Sequence, residues 1–499
     1  VLNVRATEHT RRRALVWAAS AGALTAVSAR SASAQLPLAP AAAPNFRSDQ
    51  IALLMQTLQD AQAHGFRKDE FLPPALDGLL RSPDQAERLR GALLLKACVL
   101  AYARAQHGGR IPLSMFPKNW GMRPVPYDPE IEFNVALSQD RLSAWLETLP
   151  PPFDRYRGLQ GALAQYRAIL AKGGWDEIDE GPALAIGAQG ERVSDLRRRL
   201  AAEDPQSTLD ADGPFDEAVQ AAVRQAQHNV GLDPTGIVDR ATLAALNVSV
   251  DSRIQQIQAN MERWRWVPRI WPATRIEANI AAQEMDAFQD NAIVLEMRAA
   301  PGRPDDQTPM LSSQIESVVF DPPWNVPSSI ATKELWPKEA AHPGYLESHG
   351  YRIISTDDQG GRRIQQKYGP KSALGSIKFD FPNDYAVYLH DTPSRKAFGR
   401  TSRTVSHGCV RLQRPLELAN LLFQGDDTWT PDHINEVIAQ GKTIRTPLAK
   451  PMPIFIMYWT AFLDVKGRVN FRDDVYGWDQ ALMGLIAAVR DKGWRAPSA

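Results

Sequence analysis

The stretch Tyr388-Leu389-His390-Asp391-Thr392-Pro393, with its continuation Ser406-His407-Gly408-Cys409-Val410-Arg411-Leu412, decides how this 499-residue chain is read. Its first part ends a strand on a histidine, and a polar loop rich in Arg and Ser, residues 391–405, leads to a His-Gly-Cys turn. An unperturbed cysteine thiol has a pKa of about 8.5, so at neutral pH it needs an imidazole to take its proton or a positive field to hold the thiolate. Two histidines and Arg411 stand close to Cys409 in the sequence and supply both. Gly408 can adopt unusual φ angles, which would let successive backbone N–H groups around Gly408 and Cys409 point at one oxygen. Tyr388 shares a strand face with His390 by the two-residue period and is expected to line the pocket.

Outward from this stretch, period-two apolar residues predict strands over Phe288 to Met297, Ile315 to Phe320, Ile377 to Phe381 and Ala386 to Leu389. A Pro/Trp-rich segment from Trp324 to about Gly369 interrupts them, which gives a β-rich core with an inserted flap. Residues 191–248 carry apolar positions at helical spacing with Gly turns between, so they read as a compact bundle of three short helices. Residues 45–185 alternate buried-face helices with Pro-rich breaks, and Cys98 falls inside one such helix as a small core residue. At the N-terminus Arg11-Arg12-Arg13 precede an Ala-rich apolar run and Ser31-Ala32-Ser33-Ala34, the order of a secretory signal cleaved after Ala34. Thr10-Arg11-Arg12 also fits a twin-arginine exporter loosely, so the export route stays open.

Composition bounds the function. Hydrophobic residues make up 44% and charged residues 23%, values of an ordinary globular chain long enough for about three domains at roughly 100–200 residues each. Lys+Arg 57 balances Asp+Glu 57, so no global basic field exists for nucleic acid. With two cysteines, disulfides cannot hold the fold together. Zinc ligation by His390, His407 and Cys409 competes with nucleophilic catalysis, but the pattern lacks paired ligand spacing and a fourth ligand, so no metal and no cofactor are expected.

The His390, Ser406-His407-Gly408-Cys409 and Arg411 pattern resembles the catalytic motif of the L,D-transpeptidases, cysteine enzymes that cross-link peptidoglycan. Further matching pieces are Glu262-Arg263-Trp264-Arg265-Trp266, Thr308-Pro309, Trp324-Asn325-Val326-Pro327, Ala373-Leu374-Gly375 and Tyr385 to Pro393. Residues 189–250 resemble a peptidoglycan-binding module through Asp212 to Phe215, Gly231 to Gly236 and Thr242 to Asn247. Ala226-Gln227 stands where that family usually has Phe-Gln, which leaves glycan binding and a purely structural role both open. The order of parts is similar to the large periplasmic YcbB-like subgroup with a YkuD-type catalytic domain.

The resemblance implies a multidomain α+β fold. Its parts are a signal peptide over 1–34, a linker over 35–44, a mostly helical scaffold domain over 45–188, the three-helix module over 189–250 and a linker helix over 251–272. A β-rich catalytic domain over 273–450 carries an inserted capping subdomain at about 324–369, and a C-terminal segment over 451–499 packs on the scaffold or the catalytic domain. The same resemblance implies Cys409 as nucleophile and His390 as proton donor and acceptor, with the backbone carbonyl of Asp391 orienting that histidine. His407 would shape the site, Gly408 would supply oxyanion-hole backbone, and Arg411, Tyr388 and Ser406 would contact substrate. The expected partners are a tetrapeptide stem as donor and a diamino-acid amine as acceptor, with carbapenem-type β-lactams as covalent inhibitors and no nucleic acid. The expected reaction is a 3–3 cross-link through a Cys409 thioester in the periplasm or cell envelope. An L,D-carboxypeptidase, a hydrolase of wall–protein links and an inactive wall-binding scaffold are the alternatives.

Overall fold

The computed structural model describes residues 44–204, 207–356 and 362–491. The expected signal peptide, its cleavage at Ala34 and nearly all of the linker lie outside the described residues, as do residues 357–361 of the insertion and the last eight of the C-terminal segment.

The strands relevant to the site are β1 (Arg275–Asn279), β2 (Glu284–Gln289), β3 (Ala292–Ala300), β4 (Leu311–Phe320), β5 (Trp324–Asn325), β6 (Tyr351–Thr356), β7 (Arg362–Gln366), β8 (Ile377–Asp380), β9 (Leu389–His390), β10 (Val410–Leu412) and β11 (Ile444–Met457). They form a closed barrel in the order β1-β11-β4-β8-β9-β10-β3-β2, with β5, β7 and β6 making a separate sheet. Ile377, Phe379, Leu389, Val410 and Leu412 are no more than 2% exposed and fill the interior. By the two-residue period, their neighbours Lys378, His390 and Arg411 stand on the outer face.

Three strand expectations change. The strand expected over Phe288 to Met297 is a hairpin, because Asp290 and Asn291 take φ of 49° and 64° and turn the chain between β2 and β3. Of Ala386 to Leu389 only Leu389 pairs as strand, since Ala386 has φ 54°. The barrel also runs past the boundary expected at 450, because β11 continues to Met457 alongside β1 and β4. A bulge between Pro447 and Met452 interrupts its pairing with β4.

The segment between β4 and β8 leaves the barrel and returns to it. It holds the β5-β7-β6 sheet, short helices and a small core of its own from Val326, Ile330, Leu335, Leu346 and Ile364. The N-terminal helices Ser48–Gln59 and Gln85–Gly108 enclose a second core with Leu54, Leu58, Phe66, Leu95 and the fully buried Cys98. Helix Asp154–Ala171 departs from that group, because Tyr156, Leu159 and Leu163 join the barrel core along with helix Val250–Trp264.

Helix Val250–Trp264 is a buried pillar rather than a linker, and this accounts for the Glu262-Arg263-Trp264-Arg265-Trp266 run. Glu262 pairs with Arg265 at 2.6 Å and with Arg110 at 3.0 Å, while Arg263 meets Asp479 at 2.5 Å. Buried charges persist only when paired in this way. Helices Glu191–Glu203, Glu217–Asn229 and Arg240–Leu246 make the expected bundle, with Asp216 and Asp239 accepting from backbone amides at the starts of the second and third. Gln227 is 1% exposed and its amide joins Thr235, Gly236, Ile237 and Thr242, so it ties down the loop between them.

Candidate active site

Strands β8, β9 and β10 lie side by side, and their register sets Lys378 beside His390 and His390 beside Arg411. The β9–β10 pair is parallel, so the residues between them must cross over before Cys409 arrives next to this row. The Cys409 thiol is half-buried, with Sγ 4.0 Å from the carbonyl of Ala386. That carbonyl is presented by a strained residue, which the Asn383 side chain clamps through the amides of Tyr385 and Val387 and the carbonyls of Phe381 and Val387. The Tyr388 ring meets the His390 ring edge-on at 5.6 Å, and the Lys378 ammonium lies 4.1 Å from its centroid. Burial and the adjacent Cys409 hold the Tyr388 phenol well above its ordinary value, so it faces the thiol as a hydrogen-bond donor.

His390 is 4% exposed, and Nδ1 lies 2.5 Å from the carbonyl oxygen of Asp391. A carbonyl only accepts, so the proton sits on Nδ1 and Nε2 keeps its lone pair. Burial, followed by the positive charge of Arg411, lowers the imidazole to about 3, so the ring is neutral at physiological pH. Burial pushes the Cys409 thiol up, against the pull of Tyr388, Lys378 and Arg411. Both groups therefore rest neutral, and the thiol needs a base to become nucleophilic. Among the described residues no hydrogen bond joins Sγ to the His390 ring.

The carboxylate of Asp391 is engaged elsewhere. It accepts from Thr392 N at 2.6 Å and Ser376 N at 2.9 Å, and it pairs with Arg395. Gly375 is required beside it, because a Cβ at that position would fall 2.3 Å from Asp391 Oδ2. Of Asp391, it is the carbonyl and not the carboxylate that faces the histidine.

The Cys turn corrects two expectations. Ser406, expected to contact substrate, is 1% exposed, and its hydroxyl donates to the Cys409 carbonyl at 2.5 Å while accepting from Gly408 N at 3.1 Å. The Gly408 amide, expected in the oxyanion hole, is thereby occupied inside the turn. Gly408 does adopt φ 111°, a conformation that favours glycine. No hydrogen bond from the Cys409 amide is found among the described residues, so Cys409 N–H is the turn's available oxyanion donor.

His407 does not converge on Cys409. Its Nε2 lies 2.6 Å from Glu334 in the inserted segment, and Glu334 also meets Arg303 at 3.4 Å. Arg411 Nε is buried with no partner among the described residues, so this guanidinium retains an unused donor beside the thiol. Among the described residues no group of three or more His, Cys, Asp or Glu side chains is placed to hold a metal ion. Sequence reasoning assigned nothing to Lys378 or Glu334. Lys378 carried a signal in its outward period-two position, whereas Glu334 had none, since the insertion's docking is a long-range contact.

Residues 273–434 match the family model described as "L,D-transpeptidase catalytic domain", residues 189–246 match "Putative peptidoglycan binding domain", and residues 43–163 match "Scaffold domain". A curated Haemophilus influenzae protein named "Putative L,D-transpeptidase" is 34% identical over 243 residues, covering 46% of this chain and 49% of that protein. The chain thus spans about half the length of the curated relative it matches. The solved catalytic domain of an E. faecium L,D-transpeptidase acylated by ertapenem is 15% identical, over 38% of this chain and 99% of that one, at a TM-score of 0.20. An L,D-transpeptidase from Stackebrandtia nassauensis is 14% identical, over 56% of this chain and 96% of that one, at a TM-score of 0.23. At such scores these two likenesses carry no weight for the fold.

Proposed function

We propose that this chain, whose residues 273–434 belong to the L,D-transpeptidase catalytic-domain family, forms 3–3 peptidoglycan cross-links outside the cytoplasm through a thioester on Cys409. The observation that carries the reading is the row of Lys378, His390 and Arg411 beside the Cys409 thiol, with a neutral His390 whose Nε2 is free to accept a proton.

In the first step Nε2 of His390 takes the thiol proton while Sγ of Cys409 bonds to the carbonyl carbon that follows the third residue of a tetrapeptide stem, an L-centred diamino acid. Cys409 N–H receives the developing oxyanion. The C–N bond then breaks, and the terminal D-amino acid leaves as an amine carrying the proton from His390. In the second step the side-chain amine of another stem attacks the thioester, the C–S bond breaks, and the amine's surplus proton returns to sulfur by way of His390. One amide replaces another, so no ATP is needed. The guanidinium of Arg411 and the ammonium of Lys378 favour the thiolate, and the planar guanidinium of Arg411 suits a stem carboxylate. The insertion acts as a cap that keeps water from the thioester, and His407 fastens it through Glu334.

The test is incubation with disaccharide-tetrapeptide, followed by intact-protein and product mass analysis. Transfer leaves a dimer and a Cys409 adduct, whereas hydrolysis leaves a tripeptide and assigns the site to a carboxypeptidase. Dimers formed by the Cys409→Ala protein would refute the mechanism. Carbapenem adducts on Cys409 would exclude an inactive scaffold, and glycan binding by residues 189–250 is checked by pull-down with purified sacculi.

A further inference from the structure

One buried web leads from the C-terminal segment to the Cys409 turn. Thr308 is fully buried, and its hydroxyl accepts from Gly302 N at 2.8 Å while donating to the carbonyl of Gly408 at 2.8 Å. The amide of Thr308 donates to the Tyr476 hydroxyl at 3.2 Å, and that hydroxyl donates to the carbonyl of Gly302 at 2.5 Å. Tyr476 is held in turn, since its own amide donates to the Tyr458 hydroxyl at 2.9 Å and that hydroxyl donates to Asp474 at 2.7 Å. Gly302 is needed at the crossing point, because a Cβ there would come within 2.0 Å of the Asp306 carbonyl. Tyr476 and Tyr458 lie beyond the residues 273–434 that match the catalytic-domain family.

The web acts on the reaction through a single peptide plane. The Gly408 carbonyl and the Cys409 N–H belong to one rigid peptide unit, in which they point in opposite directions. Fixing the carbonyl on Thr308 therefore aims the N–H away from Thr308, and rotating that N–H would strand a buried carbonyl without a donor. The Gly408 amide is already bound to Ser406, so the aim of Cys409 N–H determines whether the turn can receive an oxyanion. Neither Thr308 nor Tyr476 hydrogen-bonds to the thiol or to His390.

We infer that Thr308 and Tyr476 are positioning residues that fix the Gly408–Cys409 peptide plane and so aim the oxyanion donor, which makes the C-terminal segment part of the catalytic machinery. The inference rests on the acyl-transfer reading above. The experiment compares the wild-type chain with Thr308→Val, Thr308→Ser and Tyr476→Phe in two single-turnover reactions followed by intact mass. One is acylation of Cys409 by ertapenem, which passes through an oxyanion. The other is alkylation of Cys409 by iodoacetamide, which does not. Thr308→Val and Tyr476→Phe should slow acylation by roughly 10- to 100-fold, the scale of a misaimed donor, with alkylation within about twofold of wild type. Thr308→Ser, which keeps the hydroxyl, should recover most of the acylation rate. Acylation at the wild-type rate in Thr308→Val, a parallel fall of both rates in the Val and Phe variants, or failure of Thr308→Ser to recover would each overturn the inference. A wild-type chain that ertapenem does not acylate would instead overturn the acyl-transfer reading.

Discussion

His407 and Glu334 meet at 2.6 Å across 73 residues of sequence, and their contact joins the Cys409 turn to the inserted segment. Both side chains are partly exposed, and Arg303 completes the group. A pair of this kind contributes roughly 0.5–1 kcal/mol, which corresponds to about two- to fivefold in a ratio of rates. Glu334→Gln is therefore expected to leave acylation of Cys409 in place while lowering the ratio of cross-linked dimer to hydrolysed tripeptide by that factor. Product chromatography checks it; an unchanged ratio means the contact does not hold the insertion over the thioester.

The acid limb of acylation should lie far below the ordinary histidine range. His390 is lowered to about 3 by burial and then by Arg411, so the base stays unprotonated as the pH falls through 6.5. The single-turnover rate is expected to show no inflection near 6.5, and Arg411→Gln should move the acid limb upward by removing a positive neighbour. An inflection at 6.5 in the wild type would contradict the buried, neutral imidazole.

Stability should fall with acid in the same window. His390 and His64, the latter lowered to about 4 by burial and then by Arg265, both take up their protons more readily unfolded than folded. Between pH 6.5 and each lowered pKa the unfolded chain therefore binds more protons, and unfolding becomes easier as pH drops, by at most about 1.4 kcal/mol per pH unit for each group. Urea midpoints at pH 7 and pH 5 test this, and His64→Gln should flatten the dependence.

Cys98 should be chemically silent. Burial raises its thiol to about 12, and it sits fully buried among Leu54, Leu95 and Val99. Native iodoacetamide labelling is expected to modify Cys409 alone. Cys98→Ser is expected to cost about 1–3 kcal/mol by burying a hydroxyl, with no change in acylation. Labelling of Cys98 in the folded chain would refute its burial.

Asp321 begins the excursion between β4 and β8 with φ 46°, and its buried carboxylate has the Tyr368 hydroxyl nearby but no well-formed hydrogen bond among the described residues. Burial raises it to about 6, so the folded chain holds its proton longer than the unfolded one does. Above pH 6 the charged form opposes folding, and Asp321→Asn should stabilise the chain there by on the order of 1 kcal/mol, with the gain vanishing below pH 4. Thermal unfolding at the two pH values provides the check.

Local spacing made most of the helical parts legible, because three-residue and four-residue apolar periods with Gly and Asp at the ends leave few other structures for residues such as Val193, Leu196 and Leu200. The outward row of Tyr388 and His390 was legible for the same reason, since strand geometry alternates regardless of partners. The hairpin at Asp290-Asn291 was missed because apolar residues on both sides hid a two-residue turn.

The sequence by itself determined which residues are able to carry reactive chemistry and that they share a short stretch, because residue type and strand period are local properties. Tertiary structure alone decided what each one faces: Ser406 turns inward, Gly408 N–H is occupied, Lys378 joins the row, Glu334 receives His407, and Tyr476 reaches the Cys409 turn through Thr308. Those partners lie from two to well over a hundred residues away. They meet because barrel closure sets the strand register and burial demands partners for the inward-turned groups, and no local pattern encodes either condition.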